Sequence, residues 1–202
     1  MPVNRVIPFP PPLLGEAPLL ARIRRLSHPL EWLFTVLFMI GAAVLLIAVI
    51  AVLTYTGDRL QIRPGGMQIY IEAAVPPPPP GWTTVGVIPL TRKIALAISA
   101  SLMIGPALAI LWQLRRLFRL YGSGQILGSD NARIIGLIAG WLVAYAIAPT
   151  LGHLVVEAAG FDDEGWLRFD SLQALLLGLI LFVMARVMRW GAEVADDAAR
   201  FV

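Results

Sequence analysis

The sequence predicts an all-α integral membrane protein, a four-helix transmembrane bundle with a small outer β-hairpin between helices 1 and 2. Three observations carry that expectation. Residues 32–54, 94–114, 134–156 and 172–188 are long apolar runs, each at or near the roughly 20 residues that cross a bilayer core of about 30 Å. The hydrophobic fraction is 58% and the mean hydropathy is +0.76, whereas a soluble domain is about 45–50% apolar. The charges outside the runs sort by sign. The 202 residues hold four spans and short connections as a single membrane domain, 1–202.

Taken in order, residues 1–31 read as a cytoplasmic arm and an interfacial helix. Pro2, Pro8, Pro10, Pro11 and Pro12 remove donors and fix φ, so 1–15 is expected to be extended or disordered. Leu19, Ile23, Leu26 and Leu30 recur at helical spacing opposite Arg22, Arg24 and Arg25. That pattern fits a short helix on the inner leaflet or a solvated lead-in to the first span. The first span, 32–54, exceeds the roughly 7–15 apolar residues of a signal peptide and reads as a retained anchor. In the outer loop 55–93, Leu60 and Ile62, then Ile69 and Ile71, alternate with other residues around Pro64-Gly65-Gly66. Two period-two runs around such a turn predict a β-hairpin. The prolines at 76–80 follow as a polyproline II spacer, roughly 15 Å long at about 3.1 Å per residue. This loop fits a cap over the bundle mouth or a receptor for an outer ligand.

The second span, 94–114, runs on into Arg115, Arg116 and Arg119, and Gly122-Ser123-Gly124 ends it. Those three arginines are candidate lipid-headgroup contacts, at about 1 kcal/mol each near an anionic surface. At the end of the inner loop 115–133, Ser129, Asp130 and Asn131 each suit the N-cap of the next helix. The third span, 134–156, belongs to a stretch with a small residue at every fourth position: Ala132, Gly136, Gly140, Ala144, Ala148 and Gly152. The second span repeats this with Ala97, Ser101, Gly105 and Ala109. Small residues let backbones approach closely in lipid, so these two helices are expected to pack as an antiparallel hairpin. A homodimer seam is the alternative. On that basis Gly140→Leu should be more harmful than Leu142→Ala. Pro106 and Pro149 predict kinks. The outer loop 157–171 carries Asp162, Asp163 and Glu164, and the fourth span, 172–188, leads into a cytoplasmic tail, 189–202. There Glu193, Asp196 and Asp197 recur at spacings that share one helical face. An acidic face suits a basic partner; its alternative is a solvated helix end.

Orientation follows from the basic residues. With the N-terminus inside, the inner segments carry Arg5, Arg22, Arg24 and Arg25, then Arg115, Arg116, Arg119 and Arg133, then Arg186, Arg189 and Arg200. The outer segments carry only Arg59, Arg63, Arg92, Lys93 and Arg168. The positive-inside rule favours this arrangement, with both termini cytoplasmic. The net charge of +3 therefore belongs to the membrane interface, and direct nucleic-acid binding is not expected. The absence of cysteine excludes disulfides, thiolate metal sites, iron–sulfur clusters and cysteine nucleophiles.

Chemistry is harder to place. The interiors of the first three spans lack Asp, Glu, Lys, Arg and His away from their ends, and Arg186 lies near the inner end of the fourth. An ion-coupled transporter normally needs an ionisable group at depth. His28 and His153 fall on opposite sides of the membrane in this topology, so a shared metal or haem is not expected. His153 and Glu157 stand one turn apart but supply only two metal ligands. The sequence has no phosphate loop, zincin motif or nucleophile elbow.

The stretch from Leu117 to Gly136 and the C-terminal stretch from Leu175 to Val202 resemble a bacterial family of four-span membrane proteins, domain of unknown function 2975. The matching positions are Gly124, Ile126, Asn131 and Arg133 in the inner loop, then Arg186, Gly191, Glu193 and Asp197 after the last span. The sequence departs from the family at Leu127-Gly128 and over Ala198-Ala199-Arg200-Phe201-Val202. The resemblance implies a bacterial inner-membrane protein. Members of the family are often encoded beside a small helix-turn-helix regulator, which implies a membrane partner that holds or releases a DNA-binding protein.

The sequence reading is thus a non-catalytic membrane protein without cofactor or metal. Its role is expected to be regulatory or scaffolding, with the bilayer and a small DNA-binding regulator as partners. A small transporter or channel subunit is the alternative.

Overall fold

The computed structural model describes residues 16–63, 66–71, 75–123, 129–161 and 169–200. The proline-rich arm at 1–15, the acidic run at 162–164 and the loop glycines at 124 and 128 lie outside them. Four long helices account for most of the described chain: α1 (Glu16–Thr54), α2 (Leu90–Gly122), α3 (Ser129–Ala158) and α4 (Phe169–Arg200). All four contain a stretch long and apolar enough to cross a membrane. At about 1.5 Å per residue, even α3, with 30 residues, spans roughly 45 Å and exceeds the hydrocarbon core of about 30 Å.

The antiparallel register between helices is visible from pairs of contacts. Phe34 stacks on Phe118 at 5.4 Å, and Phe38 meets Trp112 at 5.2 Å. A Cβ built on Gly152 would lie 2.9 Å from Ser99 Oγ, and one on Gly136 would lie 3.8 Å from Ala185 Cβ. Each helix packs on its neighbours in sequence, α1 on α2, α2 on α3 and α3 on α4, and among the described residues no other helix pair has a comparable interface. The expected bundle is therefore an open row. Its outer helices carry exposed residues such as Met39, Leu46 and Ile47 on α1, and Ile180, Phe182 and Val183 on α4. In water such a surface is a liability; in lipid it is ordinary, because hydrocarbon chains are as apolar as the side chains they touch.

Between α1 and α2 the chain forms a three-stranded antiparallel sheet of order β2-β1-β3. The strands are β1 (Leu60–Arg63), β2 (Gly66–Ile69) and β3 (Thr83–Thr84). The expected hairpin is β1–β2, with Leu60 opposite Ile69 and Arg63 opposite Gly66. The third strand was not expected, because Thr83–Thr84 is too short to show a period. Leu60 and Ile62 point into a small core with Val85 and Ile88, and Ala51, Tyr55, Leu96 and Phe161 pack against it. The sheet is thus seated on the helix ends. Gln61, on the opposite face of β1, is also buried, and its Nε2 donates to the Pro76 carbonyl at 2.9 Å. The proline segment closes with Trp82 N–H donating to Pro79 O. Gly81 has φ +79°, the glycine position of a type II turn with Pro80 before it.

Two local readings are refined. Residues 16–30, read as an interfacial helix or a solvated lead-in, are continuous with the first span: α1 runs unbroken from Glu16 through Pro29 to Thr54. The amphipathic pattern there is the first part of one long helix. Ser129, Asp130 and Asn131 lie within the first turn of α3 rather than before it. The row is also tied at its sheet end, where buried Lys93 donates from Nζ to the Tyr55 carbonyl at 2.8 Å. A cation there satisfies an orphan carbonyl at the C-terminus of α1 and complements the helix dipole.

Candidate functional site

The end of the row opposite the sheet holds most of the charged residues singled out in the sequence. The apolar part of α2 gives way there to Arg115, Arg116 and Arg119, and the helix ends at Gly122. Ser123 closes it, with its N–H donating to Arg119 O at 3.1 Å and its Oγ to Leu120 O at 2.8 Å. Arg115 lies over the Trp112 ring at 4.8 Å. Arg116 and Arg119, three residues apart on one face, line a cavity of about 150 Å³ together with Asp130 and Arg133 from α3. Its apolar wall is Leu120, Ile134 and Leu137. Among the described residues no carboxylate lies within ion-pair distance of these arginines; the recorded pair is His153–Glu157. One carboxylate, Asp130, thus faces three guanidiniums, and the cavity is electropositive. Asn131 is fully buried next to it, and Leu117, Ile134 and Ile138 form the core that fixes α2 against α3 at this level.

The same face of α2 is open along its length. Toward the middle of the row Phe38, Gly105, Ala109, Trp112, Gln113 and Trp141 border a hollow of about 520 Å³. Further toward the sheet, Leu53, Ala97, Ile98 and Ser101 border another, of about 350 Å³. Helical arithmetic at 3.6 residues per turn puts Ile98, Gly105, Ala109, Arg116 and Arg119 on one side of α2. These hollows thus succeed one another on that side of α2 as a trough, bordered by α1 in both and by Trp141 of α3 in the middle one. Gln113, nine-tenths buried, has a side-chain oxygen without a hydrogen-bond partner among the described residues.

The small residues expected to form the α2–α3 seam divide among several roles. Ala97 and Ala148 are buried. Gly152 does pack on α2, against Ser99 and Met103, but Gly136 faces Ala185 of α4. Gly105 and Gly140 have open space where a Cβ would go, which corrects their reading as seam residues. Ala109 lines the trough, Ala144 is half-buried, and Ser101 is exposed with its Oγ donating to Ala97 O at 2.8 Å. Each four-residue step advances about 40° around a helix with 3.6 residues per turn. A long stripe of this period consequently turns from one neighbour to the next.

Of the tail acids, Glu193 does not line the arginine cavity, and the side chains of Asp196 and Asp197 lie outside the described ones. The membrane-length stretch of α4 is Ser171–Gly191, and the helix continues to Arg200. The helix therefore runs through positions 193, 196 and 197. Exposed Glu193 borders a shallow hollow with Arg186, Arg189 and Trp190. At the sheet end, His153 Nε2 is 3.8 Å from Glu157 Oε2. Among the described residues no three His, Asp or Glu side chains are placed to hold a metal ion. Sequence reasoning missed Gln113 and the role of Arg133. The first was signalled by a lone amide within an apolar run; the second needed the pairing of α2 with α3.

The family model described as "Protein of unknown function (DUF2975)" matches residues 73–200. That segment contains β3, α2, α3, α4 and all the arginines of the cavity, but not α1 or the β1–β2 hairpin. No curated protein and no solved structure matches the chain.

Proposed function

The chain belongs to the family of proteins of unknown function DUF2975, and from that premise we propose that it is a non-catalytic scaffold in the bacterial inner membrane. In this reading both termini and the arginine end are cytoplasmic, and the protruding end of α4 docks a small helix-turn-helix regulator. The observation that carries the reading is the continuation of α4 beyond its membrane-length stretch to Arg200. A helix outside the membrane presents side chains at fixed spacing, and the sequence spacing of Glu193, Asp196 and Asp197 suits one helical face. A DNA-binding protein is basic where it meets phosphate, so an acidic helical face competes for the same surface. Docking there would hold the regulator at the membrane and away from DNA.

Two expected results test the proposal. The triple substitution of Glu193→Gln, Asp196→Asn and Asp197→Asn should abolish capture of a small helix-turn-helix regulator in a pull-down from solubilised membrane. Unchanged capture would remove the acidic face as the docking site. For orientation, a cysteine replacing Pro78 should react with an impermeant maleimide in intact cells, and one replacing Ser123 should not. Labelling at Ser123 would invert the topology and place α4's end on the wrong side for a cytoplasmic partner.

A further inference from the structure

We propose that the trough on α2 is a binding site for one anionic phospholipid, with its phosphate held by Arg116, Arg119 and Arg133 and an acyl chain lying along Ala109 and Gly105. The argument begins with charge. Three guanidiniums line a single cavity with only Asp130 to oppose them, and none has an ion-pair partner among the described residues. Arginine is suited to this role because its planar fork donates to two phosphate oxygens at once.

Depth is the second element. Phe34 stacks on Phe118, so Trp32 lies near the level of Arg119. Gly136 packs toward Ala185, so Trp190 lies near the level of Asn131. Both tryptophans are 69% exposed. Exposed tryptophans at one level mark the headgroup region of a bilayer, and the cavity lies within that region.

The third element is shape. Beside the cavity, one turn along the same side of α2, lies an apolar trough. Its floor contains Gly105, where a Cβ would meet nothing within 4 Å, and its walls carry Phe38 and Trp141. A headgroup pocket next to an apolar hollow fits an amphiphile whose charged and hydrocarbon ends are covalently joined. Gln113 sits at the junction, where its amide can meet the polar backbone of a lipid. A second copy of the chain is a poorer occupant. A two-fold interface brings each patch against itself, and here that would place arginine near arginine.

The site is independent of regulator docking on α4 and is tested separately. The purified full chain is titrated with phosphatidylglycerol, with phosphatidylcholine, and with glycerol 3-phosphate, and bound species are counted by native mass spectrometry. One phosphatidylglycerol should persist under activation that strips phosphatidylcholine. Replacing Arg116, Arg119 and Arg133 by Gln should lower its affinity roughly a hundredfold, at about 1 kcal/mol per arginine near the surface. Gly105→Leu fills open space, leaves the arginines in place, and should also weaken retention. Replacing Arg186 and Arg189 by Gln should have no effect. Equal retention of the two lipids would overturn the proposal. So would glycerol 3-phosphate binding as well as the lipid with no response to Gly105→Leu, which would leave only a soluble-anion site. A dimer lost on Gly105→Leu would assign the trough to a second copy instead.

Discussion

Gly178→Leu is expected to destabilise the packing of α3 on α4 by about 1–3 kcal/mol or more, whereas Gly140→Leu is expected to be nearly silent. A Cβ on Gly178 would lie 3.1 Å from the Ala139 carbonyl oxygen, 3.2 Å from Leu142 Cβ and 3.2 Å from Val143 Cγ2. The first of these is backbone and the second is the stem of a side chain, so neither moves aside without moving α3. The rest of a leucine side chain adds to that crowding. At Gly140 a Cβ meets nothing within 4 Å, and a leucine there extends into lipid. The order expected from the sequence, with Gly140→Leu worse than Leu142→Ala, is reversed for the same reason. Leu142 packs against the core of Leu117, Ile134 and Ile138, so its truncation removes contacts. The check is the fraction of detergent-solubilised protein that stays monodisperse after heating, compared across the three variants. Equal losses for Gly178→Leu and Gly140→Leu would refute the assignment of the α3–α4 contact.

The difference between those two glycines shows what was legible in the sequence and what was not. Span number and approximate limits follow from apolar run length alone, because lipid imposes a minimum length on any helix that crosses it. The hairpin was legible because Leu60 and Ile62 keep a period of two up to a Pro-Gly-Gly turn. Which small residue touches which helix was not legible, since a stripe that drifts about 40° per step names no neighbour. Nor was the open row, because α1 and α4 are apolar on faces that a closed bundle would bury and lipid covers equally well. The arginines were legible as interfacial charge. Their meeting in one cavity required the register that sets Arg133 of α3 beside Arg116 and Arg119 of α2. The trough had no linear signal beyond Gly105 and Ala109, which the sequence assigned to close packing.

Gly86→Ala should be as harmful as Gly178→Leu, although it adds a single methyl. Gly86 lies in the short 3-10 turn Val85–Val87 that follows β3. Its φ is not in the left-handed region, which among the described glycines is reached only at Gly81 and Gly160. The requirement is therefore one of space. A Cβ there would run into the carbonyl oxygens of Thr56 and Gly57, just beyond the end of α1. Both contacts are with backbone, so the added methyl must push the 3-10 turn away from α1 or push the end of α1 away from the turn. Either movement disturbs the small core in which Val85 and Ile88 pack with Leu60 and Ile62. It also displaces the Tyr55 carbonyl that Lys93 Nζ reaches at 2.8 Å. The expected cost is about 1–3 kcal/mol for overpacking, confined to the sheet end of the row. Limited proteolysis of the protein in vesicles separates this local effect from general unfolding. In Gly86→Ala, cleavage should rise within 55–89 while the helices beyond Leu90 stay protected. Gly191→Ala is the control, since a Cβ there meets nothing within 4 Å. A Gly86→Ala protein with the wild-type digestion pattern would show that the turn does not rest on the end of α1.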